Sequence, residues 1–327
     1  GRPRVFAAIH AGQIDGAEDL TLTNMKNSYF SRVTTVVMVT ACFAVSLVAQ
    51  KPKPLAQAAK PIIFAVLNDG RSLEPLAYVN KGKLEEPVNG SDPANIIAAF
   101  NKNYYKAGTA YRLIFGAANS GTVTVKSSNA KADCAPNMGT ATTKALKTPL
   151  KGFVMGLATN VPTKWTAASY RRKPTDAERT EVESLVRAEF ARQKLTPGTL
   201  RYHNLTALDI DNDGKAELVG SYWVEIDRLT RGLLFFIASK GSNGKYAFGH
   251  KEYRSVDQAN VMSGEIKSVD EGVYHELLLD AFDYNGDGVA EIFTYTQSFE
   301  GSGFSVYNRD GGKWTKVFDG SNYHCGY

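Results

Sequence analysis

Two nonapeptides limit what this chain can fold into. One runs Asp209-Ile210-Asp211-Asn212-Asp213-Gly214-Lys215-Ala216-Glu217 and the other Asp283-Tyr284-Asn285-Gly286-Asp287-Gly288-Val289-Ala290-Glu291, each flanked by apolar residues. Both carry oxygen-bearing side chains at positions 1, 3, 5 and 9, glycine at position 6 and alanine at position 8. A hard divalent cation takes roughly six to eight oxygens at short range, which a tightly curled loop supplies from alternate side chains and one carbonyl. The first loop would offer Asp209, Asp211, Asp213 and Glu217 with the carbonyl of Lys215; the second would offer Asp283, Asn285, Asp287 and Glu291 with the carbonyl of Val289. Two calcium sites are therefore expected. An EF-hand is excluded, because its position 12 is a bidentate Glu between helices, whereas here that position is Gly220 or Thr294 and the flanks are strand-like.

The same residue types build metal-free hairpin turns, in which short side chains bond their own backbone. Such turns have no use for three crowded acids, which repel unless a cation offsets them. Recurrence of the whole pattern weighs toward metal. The residues resemble the calcium loops of FG-GAP and VCBS-type repeats, found in β-propeller blades of integrin α-subunits and in many secreted bacterial proteins. The resemblance covers the two loops and their flanking strands. It implies antiparallel four-strand units and an exported protein, although two units fall short of the four or more blades that close a propeller.

The N-terminus points to export as well. Residues 1–24 read as an upstream extension without periodicity. From Met25, Lys26 and Arg32 precede an apolar run from Val33 to Ala49 that ends on a small residue, the pattern of a signal peptide over 25–49. Two alternatives compete: an uncleaved anchor, for which about 17 residues is the lower limit, and a lipoprotein at Cys42, whose following Phe43-Ala44-Val45 prolongs the apolar run. All three place the rest of the chain outside the cytoplasm. Removing Cys42 with the signal leaves Cys134 and Cys325, an even pair for a disulfide-permissive compartment, with two free thiols as the alternative. The basic residues behind the formal net charge of +5 are scattered, so nucleic-acid binding is not supported. Arg171-Arg172-Lys173 reads as a solvated linker.

The expected fold class is α+β, mostly β. Residues 50–163 form a small α+β module with a buried strand at Pro61–Leu67 and a helix opened by Ser91-Asp92-Pro93, with Asp92 as cap. Its Tyr104-Tyr105 pair reads as core rather than as a sugar-stacking platform. Residues 164–199 hold a linking helix with the capping box Thr175-Asp176-Ala177-Glu178 and an apolar face of Val182, Leu185, Val186 and Phe190. Residues 200–327 form two blade-like units, each ordered strand, loop, strand, strand, strand, with Glu252–Gly272 as an insertion.

Catalytic signatures are weak. His275-Glu276 starts like a zinc-protease helix but lacks the second histidine; His203, His250 and His324 stand apart in sequence; Ser128-Asn129-Ala130-Lys131 fits S-x-x-K without a partner motif. Two functions remain. The first is a non-enzymatic module that binds a protein or glycan partner and uses calcium structurally; the second is a secreted polysaccharide hydrolase that uses calcium only for stability.

Overall fold

The run Ile62-Ile63-Phe64-Ala65-Val66-Leu67 holds no polar side chain, and a strand of that composition needs cover on both faces. The computed structural model, which describes residues 59–145, 155–163, 171–261 and 269–325, provides it: the run is strand β1 (Ile62–Leu67), buried throughout. The expected signal at 25–49, the residues before it and Cys42 lie outside the described residues. No helix among the described residues is long and apolar enough to cross a membrane.

Strand β1 pairs antiparallel with β2 (Ser72–Asn80) on one side. The short β3 (Lys83–Glu85) extends β2. With β4 (Ala110–Phe115), β5 (Ala118–Ser128), β6 (Gly139–Ala145) and β7 (Gly156–Thr159), the order β1-β7-β4-β5-β6-β2 returns to β1, so this antiparallel sheet closes on itself. All six strands of the ring send residues to one shared core, including Phe64, Leu73, Tyr111, Val123, Ala141 and Ala158. The β2–β6 seam is short, with the pairs Ser72↔Thr140 and Leu73↔Gly139. Helix α1 (Ala94–Tyr104) adds Phe100 and Tyr104 to the same core. Tyr104 and the following Tyr105 are buried, and their hydroxyls donate to the carbonyls of Lys60 and Leu73, as core residues do. Pro93, not Asp92, holds the N-cap position; the Asp92 carboxylate instead accepts from Asn89 N–H at 2.9 Å.

The C-terminal half matches the expected pair of four-strand units. One antiparallel meander is β8 (Arg201–Leu208), β9 (Glu217–Asp227), β10 (Thr230–Lys240) and β11 (Tyr246–Asp257). The other is β12 (Glu276–Phe282), β13 (Glu291–Gln297), β14 (Gly301–Asp310) and β15 (Lys313–Tyr323). Strand β11 stays paired with β10 as far as Asp257, so the insertion begins after that residue rather than at Glu252. The two meanders pack through Ile210, Val219, Phe235 and Ile237 of the first against Leu278, Ala281, Ile292 and Tyr307 of the second. The opposite face of the second meander, with Leu279, Phe282, Phe293 and Phe304, meets Ile63, Ala65 and Leu157 of the closed sheet. Cover on both sides explains why β10 reads as a continuous apolar run from Leu233 to Ala238.

Helix α2 (Asp176–Arg192) covers the outer face of the first meander with Val182, Val186 and Phe190 against Leu218, Leu234 and Phe236. Its capping box forms as expected. The preceding basic cluster is not a solvated linker. Arg172 donates to both Glu178 oxygens, at 2.7 and 2.9 Å, while Arg171 donates to the carbonyls of Leu279 and Met155. The Arg172 bonds above all hold the Glu178 carboxyl down at about 2, with help from Thr175 N–H and against burial. A folded pKa below the unfolded one means stability that is present above roughly pH 4.5 and lost as pH falls toward 2. Discounted for partial exposure, the contribution is about 2 kcal/mol. Urea unfolding of Glu178→Gln across pH 7 to 2.5 is expected to lose that amount at neutral pH and to show a flatter acid limb; parallel pH profiles would refute it.

Cys134 and Cys325 form a disulfide with Cα atoms 5.0 Å apart. It fastens the end of the chain to the β5–β6 connection. Beside it, the buried Glu74 accepts from Ser302, Asn322 and His324.

Candidate metal centre

Each loop opens on an aspartate immediately after one strand and closes on the glutamate that begins the next, linking β8 to β9 and β12 to β13. Tight curling requires left-handed backbone at positions 4 and 6. Asn212 and Gly214 supply it with φ of 58° and 78°, and Gly286 and Gly288 with 81° and 92°. Asparagine and glycine are the residues that tolerate this region. Several contacts recur at the same positions of both loops. Position 6 N–H donates to the position 1 carboxylate at 3.1 Å in the first loop and 2.9 Å in the second. Position 7 N–H, from Lys215 or Val289, donates to the position 5 aspartate at 2.7 and 2.9 Å. Position 2 N–H reaches the position 9 glutamate at 3.4 Å in both.

Among the described residues the structure brings three acidic ligand candidates together in the first loop and not in the second. In the first, ligand oxygens of Asp209, Asp211 and Asp213 lie within 4.8 Å of one another. The position 9 glutamates are buried in both loops, Glu217 at 3% exposure and Glu291 at 0%, and in the second loop Asp283 is buried as well. Burial pushes the Glu217 carboxyl up to about 7, opposed by Arg309, and the Glu291 carboxyl up to about 8, opposed by the Asn308 amide. Oxygen-only donors around a buried carboxylate that lacks solvent fit a hard cation such as calcium.

Two features went unseen in the sequence. The loops touch each other, with Ala290 N–H donating to the Ile210 carbonyl at 2.9 Å. Neighbouring residues of β14 also serve the two loops: Asn308 donates to Glu291 at 3.0 Å, and Arg309 bridges Asp211 and Glu217, with Nη1 3.0 Å from Glu217. A lone Asn-Arg pair late in the chain carries no signal of this. Only the Gly-rich turn after it marked the strand.

A second polar group lies between the meanders. A small cleft is lined by Ser221, Leu233, Phe235, Glu252, Arg254, His275 and Glu276. The histidines are not isolated: the rings of His203 and His275 have centroids 3.9 Å apart, and His250 lies 4.6 Å from Tyr307. Burial foremost, then His203 and Arg254, drives His275 down to about 3, so it is neutral at physiological pH. Glu276 accepts from Thr294 and Tyr307 hydroxyls at 2.6 and 2.8 Å; burial raises its carboxyl in spite of them. Among the described residues, three metal-ligating atoms converge in the first loop but not in this cleft.

The chain matches no protein-family model, no curated protein and no solved structure.

Proposed function

We propose that the chain is a calcium-stapled, extracytoplasmic β-sheet module that binds a protein or glycan partner and has no catalytic role for the ion. The observation that carries the reading is the joined pair of acidic loops at the boundary of the two meanders. Calcium in such a loop offsets carboxylate repulsion, so binding free energy becomes folding free energy. It would be held by the oxygens of Asp209, Asp211, Asp213 and Glu217 or of Asp283, Asn285, Asp287 and Glu291, as in the FG-GAP and VCBS-type loops they resemble. A loop that spends its donors on enclosing an ion has little left for substrate, which supports a structural role. The disulfide fits an oxidising compartment.

At about ten times a millimolar-range dissociation constant, calcium adds roughly 1.4 kcal/mol per site. A thermal melt in calcium is therefore expected about 3–5 °C above one in EDTA for each occupied loop, and a glycan array should show binding that the chelator abolishes. Identical melts, together with no heat of calcium binding, would end the proposal. The alternative is a polysaccharide hydrolase, and the observation in its favour is the pair Glu252 and Glu276 in one cleft. Turnover of a chromogenic glycoside that Glu276→Gln removes would put it in place of the binding module.

A further inference from the structure

We infer that the first loop carries its cation within its own chain: Arg309 does there what a metal ion would do, and the second loop is left as the place for calcium. The statement about the second loop rests on the calcium proposal above. The statement about Arg309 does not.

The loops share their left-handed positions 4 and 6 and several backbone contacts, and they differ in the charges around them. Arg309 comes from β14, in the other sheet, and bridges Asp211 and Glu217 through different nitrogens. Lys215 Nζ lies 3.1 Å from Asp213. Three of the four carboxylates therefore meet a cationic side chain. The remaining oxygens of those three accept N–H groups of Asp213, Ile210 and Lys215. In the second loop the donors are neutral. Asn285 and Asn308 amides serve Glu291, Asn285 also serves Asp287, and Asp283 takes the N–H groups of Gly286, Asp287 and Gly288. No salt bridge to Asp283, Asp287 or Glu291 exists among the described residues, where the loop 1 carboxylates have theirs.

Chemistry makes this difference decisive. An asparagine can turn its amide oxygen toward an ion by rotating one bond, whereas a guanidinium offers donors only and cannot ligate a metal. Arg309 would have to leave before Asp211 and Glu217 could close on calcium. Leaving breaks two charge-assisted bonds to carboxylates that are 20% and 4% exposed, and it removes the guanidinium from its place 6.0 Å from the Trp314 ring. The sequence differences are matched. The loop with an acid at position 3, Asp211, faces Arg309; the loop with an amide there, Asn285, shares Glu291 with Asn308.

Calcium titration calorimetry is expected to give one ion per chain for the wild type, none for Asp287→Ala, and two for Arg309→Met. Independently, in EDTA, Arg309→Met should lower the melting temperature, and adding Asp211→Asn should recover part of the loss although Asp211→Asn alone is destabilising. If Arg309→Met does not fold, Arg309→Lys keeps the charge but not the two-point contact and gives the same comparisons with smaller amplitude. Two ions in the wild type, or strictly additive effects of the two substitutions in EDTA, would overturn the inference. Absence of calcium heat in every variant would instead overturn the calcium proposal, and the EDTA cycle would then decide the role of Arg309 by itself.

Discussion

Replacing Asp280 by alanine is expected to lower the stability by about 3–5 kcal/mol, the cost of leaving several buried partners of one carboxylate unpaired. Asp280 sits in β12 with no exposed surface. It accepts N–H bonds from Gly116 at 2.9 Å, Ala117 at 2.7 Å and Ala281 at 2.8 Å, and it pairs with Arg171 at 3.3 Å. Gly116 and Ala117 form the turn between β4 and β5, with φ of 66° and 58°. A non-glycine residue in the left-handed region is strained and needs such bonds to hold it. One side chain thus ties the closed sheet, the second meander and the segment entering α2 together. Asp280→Asn keeps the volume and one acceptor, so its loss should be about half as large. Urea unfolding of both variants is the check; an alanine variant within about 1 kcal/mol of wild type would mean that water replaces the carboxylate at no cost.

None of that junction was legible in the sequence, and the reason separates what could be read from what could not. The loop chemistry is contained in nine residues. The turn geometry, the position 1 and 5 acceptors and the flanking strands follow from local Asp, Asn and Gly preferences, and β12 came out as Glu276–Phe282 for that reason. The Thr175 and Glu178 capping box was legible on the same ground, as was the α2 face. Asp280, by contrast, looks like an interruption in an apolar strand. Its partners arrive from a turn more than a hundred residues earlier and from Arg171, whose neighbours in sequence suggested a solvated linker.

Closure of the first sheet was hidden by the same kind of distance. The apolar run of β1 says that both faces are covered. It does not say that β2 and β7 flank it or that the second meander lies over its outer side. For the candidate site, the ligand set of each loop was readable, whereas the cross-bond from Ala290 to Ile210 and the reach of Arg309 depend on how two sheets stack. His203 reads as a lone residue and His275 as an incomplete zinc-protease start, because their contact joins β8 of the first meander to the residue just before β12 of the second.

The other large effect concerns the covalent tie. Removing it with Cys134→Ser is expected to cost about 3–5 kcal/mol, because the bond closes 191 positions of sequence and the denatured chain regains that freedom. In the chain-entropy picture a loop of this length is worth roughly 5 kcal/mol, and measured effects fall at or below such figures. The native state itself should change little. The end of the chain stays fastened without sulfur, since Asn322 and His324 donate to the buried Glu74, Asn137 donates to Asn322 at 2.7 Å, and Ala135 N–H reaches the His324 carbonyl at 3.0 Å. The loss should therefore act on the unfolded chain, which predicts a steeper dependence on urea in the serine variant, since a chain without the tie exposes more surface when it unfolds. A loss confined to the native state would leave that slope unchanged and would appear instead as faster hydrogen exchange limited to Ser321–Cys325 and the residues around Ala135. Equal stability of the oxidised wild type and the serine variant, with equal slopes, would show that the polar clasp at Glu74 alone constrains both states.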